Sequence, residues 1–134
     1  MPHLTLLFIG DVFGKPGRDL VRLGVPKLVR RYEVTAVIAN GENSAGGFGI
    51  TRETGEELFA AGVDLMTSGN HVWDKKEALD YLPLEPRLVR PANFPAGVPV
   101  PSNHNSGFAP VPEPTIITGV TTMTAAVLEL LGKS

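Results

Sequence analysis

Three short polar clusters carry the residue types best suited to chemistry: Gly10-Asp11, Asn40-Gly41-Glu42-Asn43 and Gly69-Asn70-His71. A carboxylate at Asp11 can bind a hard or borderline cation, or it can cap the turn that follows. Glu42, set between two cations, can bridge them with one oxygen to each and hold them at the separation two-metal chemistry requires. Its bland alternative is a solvated polar loop, where Glu is an uncommon choice. Asn70 can offer an amide oxygen to a metal without adding charge. His71 can ligate a metal or pass a proton to a leaving oxygen, and a lone histidine can also be purely structural.

Each cluster follows an apolar run. Residues 4–9 (LTLLFI), 34–39 (VTAVIA) and 63–67 (VDLMT) read as three strands, the first buried on both faces. Between them, Val21, Val25, Leu28, Val29 and Tyr32 recur at helical spacing from Arg18 onward, with Pro26 as a kink or a late start. Thr51 is placed to cap a second helix running to about Ala61, with Gly62 to end it. A short helix is expected from Asp74 to Tyr81 and a short strand at Leu88-Val89. Strands alternating with helices predict an α/β fold with a largely parallel sheet and flanking helices. In such sheets ligands bind at the carboxyl ends of the strands, so the three clusters are expected to converge on one site.

The composition suits a folded chain: 43% hydrophobic and 19% charged residues over 134 positions. A net charge of −2 provides no extended nucleic-acid surface. There is no cysteine, which removes disulfides and thiolate ligands and suits a cytoplasmic protein. The first apolar run is too short to span a bilayer and lacks a basic leader, so no membrane anchor is expected. Gly10 to Gly14-Lys15-Pro16 fails the Walker phosphate loop in spacing and in its last residue. Gly46-Gly47-Phe48-Gly49 lacks the dinucleotide fingerprint and reads as a loop, either plain or with Phe48 at the site mouth against a base. Trp73 reads as a core residue.

The stretches Phe8–Arg18, Ala39–Thr51, Gly69–Lys75 and Arg90–Pro95 together resemble the calcineurin-like metallophosphoesterases, in the bacterial branch of 2′,3′-cyclic-nucleotide 2′-phosphodiesterases. Order, spacing and strand context agree over about residues 4–97. The resemblance implies half of the family's αββα sandwich. It also implies that Asp11 binds a first metal, Glu42 bridges two, Asn70 binds the second, His71 donates a proton and Asn43 is a further site residue. The cofactor would be two divalent transition metal ions, iron or manganese, and the partner a small phosphodiester or nucleotide. Phe13 replaces the histidine of the common Asp-x-His opening, and Glu42-Asn43 stands where Gly-Asp-x-x-Asp is common; both fit the bacterial branch.

Family domains run to about twice this length and take further histidines from their second half, whereas only His104 follows the third cluster here. Residues 1–97 are accordingly read as the family's N-terminal half and 98–134 as a tail of unrecognised origin. Seven prolines lie between Pro91 and Pro114, a loop pattern. A strand is expected at Thr115-Ile116-Ile117, then an amphipathic helix with Val120, Met123, Val127, Leu130 and Leu131 on one stripe. That stripe would cover a sheet face or pair with a second chain in a homodimer. Two functional classes stay open: a metal-dependent phosphoesterase, and an α/β module that binds phosphate or nucleotide without turnover.

Overall fold

The computed structural model describes residues 4–90, together with helical positions at Ile117, Val120, Thr121, Thr124, Ala125 and Leu128. Residues Met1–Arg90 form one compact unit and Pro91–Ser134 a second. In the first, four strands, β1 (Leu6–Ile9), β2 (Ala36–Asn40), β3 (Leu65–Thr67) and β4 (Leu88–Val89), make one parallel sheet in the order β1-β2-β3-β4. Helix α1 (Gly14–Tyr32) connects β1 to β2, α2 (Arg52–Ala60) connects β2 to β3, and a 3-10 helix (Asn70–Asp74) followed by α3 (Lys76–Tyr81) connects β3 to β4. Right-handed crossovers taken in one direction place successive helices on one face of a sheet. Accordingly α1 packs on α2 and α2 on α3.

The alternation of side chains along each strand sorts the core. Leu7, Ile9, Val37, Ala39, Met66 and Leu88 share one cluster with Val21 and Val25 of α1, Leu58 of α2, Val72 of the 3-10 helix and Ala78 and Tyr81 of α3. Ile38 alternates to the opposite face and is also buried. Only β2 is buried along nearly its whole length, as expected of a central parallel strand. The expectation that the first strand is buried on both faces is corrected. Among the described residues β1 lies at the edge of the sheet, and Phe8 is 55% exposed. An apolar run reports strand character but not position in the sheet.

Local chemistry explains the helix ends. Thr51 accepts a hydrogen bond from the Thr54 amide, and the Thr54 hydroxyl accepts from the Thr51 amide, so the two residues cap α2 reciprocally. Gly62 follows the C-cap at φ +99°, where a side chain would be strained. Helix α1 starts earlier than expected, and Pro26 neither starts nor breaks it. Pro16 stands in the first turn, where an amide hydrogen has no helical partner anyway. Pro26 lies on the solvent face, where water can satisfy the carbonyl its missing N–H leaves free.

Asp74, expected near the start of the last helix, ends the 3-10 helix instead, and α3 begins at Lys76. In the tail, Ile117 is helical rather than extended, a second correction; Thr115 and Ile116 lie outside the described residues. Val120 is exposed, and Met123, Val127, Leu130 and Leu131 lie outside the described residues.

Gly55 exists because α2 meets α3 there. A Cβ at this position would come within 2.7 Å of the Tyr81 ring and hydroxyl. Gly55→Ala is expected to destabilise the unit by about 1–3 kcal/mol, the range for overpacking a core. Urea denaturation checks this; an unchanged midpoint would show that α3 shifts freely.

Candidate metal-dependent phosphoester site

The strand ends are tied by hydrogen bonds that cross the sheet. The Val12 amide donates to the Asn40 carbonyl at 2.9 Å, joining the loop after β1 to β2, and the Gly41 amide donates to the Thr67 carbonyl at 3.0 Å, joining β2 to β3. Two further amides, Gly14 and Gly47, converge on the Asn43 carbonyl at 2.9 and 3.1 Å. Asn43 is therefore fixed by its backbone before its side chain does anything.

Side chains complete the convergence. Asn43 Nδ2 donates to Asp11 Oδ1 at 2.8 Å, across 32 residues of chain. Because Asp11 can only accept, this bond also sets which way the Asn43 amide points. Glu42 Oε2 accepts from the His71 amide at 3.1 Å, across 29 residues. Asp11, Glu42, Asn43 and His71 thus sit on adjacent strand ends, with Asn70 opening the 3-10 helix beside His71. Asp11 is exposed, Glu42, Asn70 and His71 are half-buried, and Asn43 is buried.

Three contributors were not legible as site residues. Gly69 packs directly under Glu42: a methyl group there would overlap the carboxylate. Asp74 Oδ2 lies 2.7 Å from His71 Nδ1. A His-x-x-Asp spacing is the only sequence signal for this pair, and it is too common to single out. Arg18 donates from Nε to Glu57 Oε2 and from Nη1 to the Ser44 carbonyl, each at 2.5 Å, with only 15% of its side chain exposed. It clamps α1 to α2 and to the residue after Asn43. Arg18→Ala is expected to lower the unfolding free energy by about 1.5–3 kcal/mol, as for charge-assisted hydrogen bonds. A chemical denaturation curve superimposable on that of the parent chain would show that Arg18 has no bracing role.

Trp73, expected in the core, packs half-buried against the main cluster. Phe48 is exposed, and its ring meets the His71 ring edge-to-face at 5.4 Å and 68°.

Among the described residues no three His, Asp or Glu side chains form a ready metal cage. The edge is nevertheless rich in oxygen donors. Asn40 Oδ1 and Asn43 Oδ1 are buried without a hydrogen-bond partner among the described residues. A buried carbonyl oxygen left so costs free energy that a cation can offset. Carboxylate and amide oxygens suit a hard or borderline divalent ion, so the residues present fit part of a metal site.

A parallel sheet with this carboxyl edge is of the metallophosphoesterase type. The chain belongs to the YmdB-like protein family, matched over residues 7–132. That match runs past about residue 97, where recognisable motifs end. A 2′,3′-cyclic-nucleotide 2′-phosphodiesterase of Bacillus subtilis (strain 168) is 52% identical over 96 residues, covering 72% of this chain and 36% of that protein. A crystal structure of a phosphatase from Mycoplasma pneumoniae superposes with a TM-score of 0.70 at 35% identity, over 74% of this chain and 35% of the other. A hypothetical protein from Thermus thermophilus gives 0.62 at 48% identity, over 70% and 36%. The chain spans about a third of the length of these relatives. No helix among the described residues is long and apolar enough to cross a membrane.

Proposed function

We propose that these strand ends form part of a metal-dependent phosphoesterase site that acts on small nucleotide-type phosphodiesters. The observation that carries this reading is the pair of long-range bonds, Asn43 to Asp11 and the His71 amide to Glu42, which ties three strand ends together. The name of the Bacillus subtilis relative supports the diester class.

Asp11, Glu42 and Asn70 would hold two divalent ions, iron or manganese. When bound, the ions supply the positive charge that polarises the phosphate and activates water. The chain's own residues do the rest. The Asn43 amide restrains Asp11, and the His71 amide restrains Glu42, so neither carboxylate reorganises when charge develops nearby. Asp74 Oδ2 stands against His71 Nδ1 and would accept its proton in a hydrogen bond, so the acid would be the imidazolium form, which carries a second proton on Nε2 and would pass that one to the leaving oxygen. Phe48 covers one edge of the imidazole.

Among the described residues few nitrogen donors stand near these oxygens, so metal binding by this chain alone is expected to be weak and turnover slow. Exposed Ile117, Val120 and Leu128 suit pairing with a second chain, and a homodimer is the assembly proposed. The lack of cysteine fits a cytoplasmic setting. The test is hydrolysis of bis(4-nitrophenyl) phosphate with and without manganese. Slow hydrolysis that requires manganese is expected. Phosphate binding with no hydrolysis under any metal would replace the enzyme by a binding module.

A further inference from the structure

Two aromatic rings stand exposed at the carboxyl edge, and beyond the Phe48 contact with His71 the phosphoester reading gives their open surfaces no role. Phe13, in the loop after β1, and Phe48, in the loop after β2, are each 57% exposed. Their positions are held. The Phe13 ring lies against Gly47, where an added Cβ would come within 2.7 Å of Phe13 Cζ. Gly47 and Gly49, at φ +99° and +76°, turn the backbone on either side of Phe48. Gly49 packs against the His71 carbonyl and the Lys75 side chain, which seats the loop on the third strand end. The Phe48 ring then meets the His71 ring.

Leaving two phenyl rings in water forgoes the stabilisation their burial would give. A flat apolar face beside a phosphate site offers what a nucleobase needs, since every base has a π-face that stacks on an aromatic side chain. We infer that Phe48, supported by Phe13, forms a stacking platform for the base of a nucleotide whose phosphate lies by His71. Phe48 is then a specificity-determining residue that favours nucleotides over base-free phosphoesters. This rests on the phosphoester reading.

The test measures dissociation constants by two-dimensional NMR of the full chain with magnesium, for inorganic phosphate, ribose 5-phosphate and adenosine 5′-monophosphate. In the parent chain the nucleotide is expected to bind about tenfold tighter than ribose 5-phosphate, on the scale of one stacked base, with the Phe48 ring protons shifting only for the nucleotide. In Phe48→Ala the ratio of the two affinities falls to about one. Phe48→Leu, which keeps apolar bulk but removes the ring, gives the same ratio and separates stacking from folding. Phosphate binding with no preference for the nucleotide, or a preference that survives both substitutions, overturns the platform alone. Failure of the parent chain to bind any of the three ligands overturns the phosphoester reading and the platform with it.

Discussion

His71→Ala is expected to lower manganese-dependent diester hydrolysis by about 10²–10⁴-fold, the scale of a lost general acid, while metal binding is retained. The imidazole is held at both ends of its residue: its amide donates to Glu42, and its Nδ1 pairs with Asp74. Alanine keeps the amide, so the Glu42 contact survives and only the proton carrier is lost. Turnover and manganese affinity measured on the same preparation separate the two effects. Loss of metal together with activity would make His71 a ligand rather than an acid.

Glu42→Ala is the opposite case. Removing the carboxylate deletes the proposed bridge and leaves the His71 amide without its acceptor. Gly69, whose lack of a side chain makes room for that carboxylate, faces an empty space instead. Manganese affinity and hydrolysis are expected to fall together, each by at least about tenfold, since even loss of a group that only orients a ligand costs about 10–100-fold. Electron paramagnetic resonance of free manganese reports the affinity directly. Retained affinity in Glu42→Ala would move the metal away from the second strand end.

The features legible in the sequence are those with short-range causes. Thr51 and Gly62 announced the ends of α2 because a cap and a left-handed turn are decided by neighbouring residues. The polar clusters announced the carboxyl edge because each follows an apolar run directly. Long-range facts were not legible. Phe8 is exposed on a strand that stands, among the described residues, at the sheet edge, a position that depends on strand order. Pro26 is tolerated because its side of α1 faces water, a consequence of how the helix docks. The Asp74–His71 pair depends on a 3-10 turn that stands where a regular helix start was expected. Gly69 acquires meaning only once Glu42, from another strand, lies above it.

The most direct test of the central claim, one metal site shared by three strand ends, is anomalous diffraction from manganese-soaked crystals of this chain at the manganese edge. Two peaks are expected, both within ligand distance of Glu42, one shared with Asp11 and the other with Asn70. Manganese bound only elsewhere on the chain, or none at these strand ends at saturating concentration, would contradict it.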